Sequence, residues 1–314
     1  MELSWARSFV AVHELGGFGV AARSLHRSQS RVSEHVASLE TMLGEQLFFR
    51  DVHPPALTPA GEAFLPHARA AIAEWQAALA AVAARQGEVR GEVSVGSVPS
   101  VSAVFIAPLI AKFRAEHPEV AFEVHEGPNS WLAEALAHRT IEISISPIVE
   151  ERRAGIGRRA LLTDPFRVVV PKDHPLAGRE VIEATDLAGH PVITTGEAGL
   201  DARIGGEFRR MLDGTEIDVE RSLAVTQPTS VFALVREGLG IGILGSLAVR
   251  IVHDDDTVVR PLEAPHASRR IAVHWALTRR LSPATLTFLD ALDELVAGDI
   301  VDGSLLPAEQ NGTS

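Results

Sequence analysis

The chain of 314 residues contains no cysteine, which excludes disulfide bonds, thiolate metal ligands and cysteine nucleophiles. It has no run of about eighteen apolar residues, so we expect no membrane-spanning helix. The N-terminus lacks a basic segment followed by an apolar stretch, so we expect no secretory signal and a cytoplasmic protein. Positive charge is scarce, because 29 Lys and Arg stand against 41 Asp and Glu, a net charge of −12. That balance argues against nucleic-acid binding that rests mainly on phosphate contacts.

Recognisable catalytic and metal-binding patterns are lacking too. The 13 histidines are scattered, no H-E-x-x-H pair is present, and no Gly-x-Ser-x-Gly elbow offers a nucleophile. The segment Gly240-Ile241-Gly242-Ile243-Leu244-Gly245 has the spacing of a dinucleotide-binding loop. However, a predicted helix precedes it and a predicted strand continues it, the reverse of the order that phosphate binding needs. We therefore predict no enzyme activity, no metal and no cofactor.

The most informative segment lies in the first 60 residues, where two short helices and a turn precede a third helix over 29–43. An apolar stripe with helical spacing marks its buried side: Val32, Val36, Leu39 and Leu43. The opposite side carries groups that form hydrogen bonds: Gln29, Ser30, Ser33 and Glu34. A polar face above a buried stripe is what a recognition helix in the DNA major groove requires.

Charge in this region is nearly balanced, since the first 60 residues contain five arginines and six carboxylates. A module of this kind makes few phosphate contacts per subunit. We therefore expect its affinity for DNA to come from dimer symmetry and from direct contacts with bases.

A short wing and a long helix follow the third helix. The apolar residues of Leu47-Phe48-Phe49-Arg50 and of 57–61 predict a hairpin, and Thr58 followed by Pro59 predicts a helix start. The new helix runs to about residue 86, and its seam has coiled-coil spacing: Leu65, Ala68, Ile72, Trp75, Leu79 and Val82. We expect the seam to pair with a second copy of the chain; packing against the same chain is the alternative.

From residue 91 onward, strands alternate with helices, which predicts mostly parallel sheets in two subdomains. The pattern includes an element over 208–212, a late strand over 271–277 and a final helix over 283–296. The polar tail from residue 298 is expected to be disordered.

These segments resemble those of the LysR-type transcriptional regulators. The matching N-terminal segments are 18–25, Ser28-Gln29, Ser33, Leu39-Glu40, Leu43-Gly44, 47–50 and 57–61. The matching C-terminal segments are Phe113-Arg114, His117-Pro118, Asp164-Pro165-Phe166, 170–176 and 237–242. The resemblance covers essentially residues 1–297, and agreement among so many separated motifs is a strong signal.

The resemblance implies an α plus α/β architecture. It comprises a winged helix-turn-helix over 1–60, a linker or dimerisation helix over 61–88 and an effector-binding domain over 89–297. That domain resembles periplasmic binding proteins, with subdomain I over 90–162 and 267–297 and subdomain II over 163–266. The implied protein is a dimer or tetramer that binds an inverted-repeat promoter site in double-stranded DNA and responds to a small molecule.

Candidate DNA-binding residues lie around the third helix and the wing: Arg27, Ser28, Gln29, Ser30, Arg31, Ser33, Glu34 and Arg50. Gln29 and Ser33 are predicted to contact bases or backbone, and the arginines to contact phosphates. A salt bridge within the protein is the alternative for Arg50. Ser30 stands where the family often has Pro, and Glu34 stands where a basic or amide residue is usual. A carboxylate at that position accepts a hydrogen bond from cytosine N4, which would alter sequence preference.

Candidate effector-binding residues lie at turns between strands and helices: Ser100, Asn129, Thr194, Thr195, Thr226 and Gln227. Free backbone N–H groups at a helix start attract anions, so a small polar effector such as a carboxylate fits the Ser100 turn. Plain helix capping is the alternative for each residue. The alternative for the whole protein is a small-molecule binding protein whose N-terminal module serves dimerisation or protein contacts.

Overall fold

The computed structural model describes residues 2–49, 52–84, 88–148, 154–196, 218–278, 280–301 and 305–308. The chain forms two compact units. The first comprises residues 1–91 with two short later stretches, 138–140 and 281–284. The second comprises 92–137, 141–280 and the chain from 285 onward.

Four helices form most of the first unit: α1 (Leu3–Glu14), α2 (Phe18–Ser24), α3 (Gln29–Leu43) and α4 (Pro59–Ala84). Helix α3 has the predicted bounds because both ends carry strong local signals. Ser28 is its N-cap, and Gly44 ends it with φ of 75°, a conformation that favours glycine. The predicted cap of α4 is confirmed, since the Thr58 hydroxyl accepts a hydrogen bond from the Gly61 N–H at 3.1 Å.

The core of the first unit joins all four helices. Phe9 of α1 is fully buried, and its ring centroid lies 5.3 Å from that of Phe48 and 5.6 Å from that of Phe64. Val32, Val36 and Leu39 are buried as predicted, but Leu43 is 39% exposed, so the predicted stripe ends one turn early. The last turn of α3 extends beyond the core.

The wing is smaller than the predicted hairpin. Phe48 and Leu57 form a single antiparallel bridge. Hydrogen bonds flank it, from Phe49 N–H to the Ala56 carbonyl at 2.9 Å and from Thr58 N–H to the Leu47 carbonyl at 3.0 Å.

The seam of α4 divides into two parts with different surroundings. Ala68 is fully buried, and Leu65 and Ile72 pack against the same core, so the alternative of packing within one chain is right for this part. The second part is exposed: Trp75 by 52%, Leu79 by 49% and Val82 by 61%. Only this second part presents an apolar stripe to the surroundings.

The second unit is an α/β assembly. Its described helices are α5, made of Pro99–Val101, the π-helical turn Ser102–Ile106 and Ala107–Glu116, then α6 (Asn129–Ala137), α7 (Pro228–Arg236), α8 (Ser246–Arg250) and α9 (Pro283–Val301). Its described strands are β1 (Gly91–Ser97), β2 (Val120–Glu126), β3 (Ile143–Pro147), β4 (Ile156–Pro171), β5 (Ile182–Glu183), β6 (Pro191–Thr195), β7 (Asp218–Val225), β8 (Ile241–Gly245), β9 (Thr257–Glu263), β10 (Ser268–Ala276) and β11 (Leu306–Pro307).

The strands follow the order β2-β1-β3-β10-β4-β8-β6-β7. Parallel pairs join β1 to β3 and β6 to both β7 and β8, as alternating strands and helices predict. The two long central strands run antiparallel instead. Strand β4 pairs with β10 up to Pro165, and from Phe166 onward with β8 and β9. This 16-residue strand therefore carries the chain from one half of the unit into the other.

The prediction of a disordered tail from residue 298 is wrong for residues 298–301 and 305–307. Helix α9 continues to Val301, and β11 pairs with β4. Burial explains the difference, because Leu305 is only 1% exposed and belongs to the core. The element predicted over 208–212 and the rest of the tail lie outside the described residues.

Candidate DNA-reading face and effector cleft

The polar face of α3 is exposed. This holds for every described candidate on or beside the helix: Arg27, Ser28, Gln29, Ser30, Arg31, Ser33 and Glu34. The start of the face is fixed by Ser28, whose hydroxyl accepts from the Arg31 N–H at 3.2 Å and lies 3.0 Å from the Ser30 hydroxyl. Arg50 lies outside the described residues.

Gln29 is held near the start of α2. A Cβ atom added to Gly19 would lie 3.5 Å from Gln29 Oε1, an ordinary contact distance. The Gln29 side chain therefore lies beside α2, and space alone does not require glycine at position 19. An amide with both donor and acceptor groups is thereby presented at the exposed start of α3, which suits bidentate pairing with adenine.

Arg31 and Glu34 pair with each other on the same face. Arg31 Nη1 donates to Glu34 Oε2 at 2.9 Å, and the two side chains are 53% and 62% exposed. An ion pair in water is weak, so either partner is able to exchange it for a group on DNA. The ion pair places the Glu34 carboxylate beside a cation, which offsets its negative charge on this face.

One buried polar residue of α3 was missed by the sequence analysis. His35 is 3% exposed, and its Nδ1 lies 2.8 Å from the Ser8 hydroxyl of α1. Burial, reinforced by the nearby charges of Arg31 and Arg27, lowers the pKa of His35, which favours the neutral imidazole. The position of His35 next to Val36, on the side of the helix that carries the buried stripe, could have predicted its burial. The contact fixes the rotation of α3 on α1 and hence the direction of the polar face.

In the second unit, three serines lie close together at the turn after β1. Ser97 is fully buried, and its hydroxyl lies 2.6 Å from that of Ser102, which opens the π-helical turn of α5. Ser100 lies between them and is 4% exposed. Such π-turns are frequent at functional sites. Ser97 and Ser102 were not among the predicted site residues, although Ser97 lies in the same loop.

Asn129 lies at the next strand-to-helix turn, as expected. The Gly127 N–H donates to the Ser97 carbonyl at 3.2 Å, which joins this turn to the end of β1. Asn129 Nδ2 donates to the Pro147 carbonyl at 3.4 Å, whereas Oδ1 is buried and has no hydrogen-bond partner among the described residues. A buried acceptor without a donor is costly. Asn129 therefore offers an acceptor that a bound ligand with an N–H or O–H group would satisfy.

The candidates at the ends of β6 and β7 differ in exposure. Thr194 is fully buried, and its hydroxyl donates to the Ile243 carbonyl at 2.9 Å, so its hydroxyl is used within the sheet. Thr195 is half-buried, and Thr226 and Gln227 are exposed. Gln227 is the N-cap residue of α7 but makes no side-chain capping bond, so plain capping does not account for it.

A buried ion pair lies where β4 passes between the two halves of the unit. Arg269 Nε donates to Asp164 Oδ2 at 3.0 Å, and the Leu247 N–H at the start of α8 donates to Asp164 Oδ1 at 3.0 Å. Asp164 is fully buried. A Cβ atom on Gly245 would clash with Asp164 Oδ2, so this pair requires glycine there. The pair holds β4, β10 and α8 together.

The glycine-rich segment 240–245 allows neighbouring strands to pack closely. It forms strand β8 after helix α7, the order that the sequence predicted. A Cβ atom at Gly240 would clash with the Pro191 carbonyl oxygen, so the strands approach too closely for a side chain. Within the described ranges no helix is long and apolar enough to cross a membrane, and no group of three or more His, Cys, Asp or Glu is placed to hold a metal ion.

Comparison with known proteins gives matches to both units. The family described as "Bacterial regulatory helix-turn-helix protein, lysR family" matches residues 3–62, and "LysR substrate binding domain" matches residues 86–297. The HTH-type transcriptional regulator ShiR of Corynebacterium glutamicum is 30% identical over 276 residues, 88% of this chain and 92% of its own length.

Solved structures show the same fold. A full-length variant of OxyR from Pseudomonas aeruginosa matches with a TM-score of 0.73 at 22% identity, covering 100% of this chain and 99% of its own. Full-length CbnR complexed with its target DNA matches with a TM-score of 0.64 at 21% identity, covering 95% of this chain and 99% of its own. The predicted fold class is confirmed. Because one family description covers residues 86–297, more than half of the chain, and another covers the helix-turn-helix, the chain belongs to the LysR family of DNA-binding transcriptional regulators with an effector-binding domain.

Proposed function

We propose that this regulator reads an inverted repeat in double-stranded DNA with paired α3 helices, one from each of two copies. The observation that carries the proposal is the exposed polar face from Ser28 to Glu34, fixed above a buried stripe. A major groove admits one α-helix, and base edges there are distinguished by side chains with donors and acceptors. We propose Gln29 and Ser33 as base contacts, Arg27, Arg31 and Arg50 as phosphate contacts, and Ser28, Ser30 and Glu34 as supporting positions. CbnR, a structural neighbour, was solved in complex with its target DNA, which supports DNA binding by this fold.

Oligomerisation is part of the proposal. The exposed stripe of Trp75, Leu79 and Val82 on α4 is the surface that a second copy would cover. Exposed apolar stripes of this kind on a long helix are typical of helix pairing. We propose domain limits of 1–60, 61–88 and 89–297, with the linker helix supplying the pairing surface.

The effector site is proposed at the turns after β1, β2, β6 and β7. Ser100 and Asn129 on one half, with Thr195, Thr226 and Gln227 on the other, offer hydroxyl and amide groups to a small polar molecule. Asn129 Oδ1 supports an effector that carries an N–H or O–H donor, alone or together with a carboxylate. Thr194 is a structural residue in this proposal because its hydroxyl binds Ile243.

We further propose that the protein acts in the cytoplasm by binding rather than by catalysis. Regulation needs only that the effector favour one conformation of the cleft over another. Turnover of a small molecule by the purified chain would contradict this part of the proposal.

Replacing Gln29 with Ala tests the DNA-reading proposal. We expect specific binding to weaken by about 1–3 kcal/mol, because a base contact is lost, whereas binding to scrambled DNA stays the same. Fluorescence anisotropy on both DNAs measures the difference. Gln76→Ala, the same change at an exposed position of α4, is the matched control and should change neither affinity. Equal losses on both DNAs would show that Gln29 does not read bases.

A further inference from the structure

The chain continues beyond the end of the family's effector domain at residue 297, and residues 298–301 and 305–307 of this continuation are part of the fold. Leu305 is 1% exposed, and Leu306 and Pro307 pair with Thr163 and Leu162 of β4. The Thr163 hydroxyl donates to the Pro307 carbonyl at 3.2 Å. We call Asp299 and residues 305–307 the C-terminal clasp.

The clasp is anchored at two places around α8. Asp299 Oδ2 accepts from Arg250 Nη1 at 2.5 Å, and Arg250 is the last residue of α8. The side chains are 38% exposed for Arg250 and 21% for Asp299, so this pair is more sheltered than the other ion pair of α9, Arg159–Asp293, at 46% and 42%. At its other end, the clasp pairs with Thr163, the residue before Asp164.

Helix α8 connects the clasp to the effector turn. Its start is bound by Asp164 through the Leu247 N–H, and its end is bound by Asp299 through Arg250. Between these two attachments the helix lies against Pro99–Val101, the turn that carries Ser100. The carboxylates of Asp164 and Asp299 thus restrain both ends of the element that backs the effector turn.

We propose that Asp299 and Arg250 are positioning residues for the effector site, acting through α8 on the Ser100 turn. This inference rests on the proposed effector role of that turn. A site whose competent geometry is only partly populated binds its ligand more weakly in proportion to that population. By restraining α8, the clasp keeps the turn in one geometry before a ligand arrives, and release of the clasp lowers effector affinity.

The test is hydrogen–deuterium exchange on the full-length protein, which requires no ligand. Asp299→Asn and Arg250→Met each remove the ion pair and are expected to speed exchange about two- to fivefold in 246–251 and in 99–106. Asp293→Asn breaks the pair with Arg159 on the same helix and is the matched control, expected to leave both segments unchanged. The exchanged pair Arg250→Asp with Asp299→Arg should restore most of the protection.

Unchanged exchange in 99–106 for both single variants would overturn the proposal, as would the same change in Asp293→Asn. DNA affinity without effector, measured in parallel, is expected to be equal in all variants. A failure of the wild-type protein to bind DNA selectively would contradict the proposed DNA-reading role while leaving the exchange result intact. The coupling of the clasp to the Ser100 turn and the effector role of that turn also fail separately, because the exchange measurement requires no effector.

Discussion

Replacing Arg269 with Met is expected to lower the free energy of unfolding of the effector domain by about 3–5 kcal/mol, because it leaves a buried carboxylate without its cation. Asp164 is fully buried, and Arg269 and the Leu247 N–H together supply its hydrogen bonds. The backbone at Gly245 lies so close to the carboxylate that a Cβ atom there would clash with Asp164 Oδ2. Urea unfolding followed by circular dichroism measures the change.

Arg159→Met is the matched control for this experiment. Arg159 binds Asp293 at 3.0 Å, but the side chains are 46% and 42% exposed, so water and salt already weaken the pair. We expect a loss below about 1 kcal/mol. Similar losses for both variants would show that the Asp164–Arg269 pair has no special role in holding the two halves together.

Replacing Phe9 with Ala is expected to lower the free energy of unfolding of the DNA-binding unit by about 3–5 kcal/mol, through the lost burial and the cavity left behind. Phe9 is fully buried between Phe48 and Phe64, so its ring joins α1, the wing and α4. A loss of this size approaches the whole stability of a small domain. DNA binding should therefore disappear at temperatures at which the second unit stays folded.

Leu15→Ala serves as the control, since Leu15 at the end of α1 is 41% exposed. Surface substitutions of this kind usually change stability by less than about 0.5 kcal/mol. Hydrogen exchange in residues 3–84 and in 92–137, followed in the same sample, separates the two units. Loss of protection in both units after Phe9→Ala would contradict the independent role that we assign to this core.

Local signals allowed the start and end of α3 to be predicted. Ser28, Gly44 and the period of Val32, Val36 and Leu39 lie within a few residues of the features that they determine. The same holds for Thr58 and Pro59 at α4. Capping and periodicity act over one or two turns, so a single sequence contains all the information that they need.

Contacts between distant residues were not predictable in this way. Asp164 and Arg269 are 105 residues apart, and Thr163 and Pro307 are 144 residues apart. A two-residue strand such as β11 has no pattern of its own and forms only because β4 offers it a pairing edge. Thr194 illustrates the converse, since its position at a strand end suggested a ligand contact until the register placed its hydroxyl beside Ile243.

The central claim is that α3 reads a DNA sequence. The most direct test is fluorescence anisotropy of the wild-type protein on two DNAs, one from upstream of its own gene and one scrambled, over a salt series. The account predicts binding at least about 10³ times tighter to one sequence, with a shallow salt dependence because few phosphates are contacted. Equal affinity for both DNAs at low salt would contradict the account and favour a small-molecule binding protein whose N-terminal unit serves dimerisation.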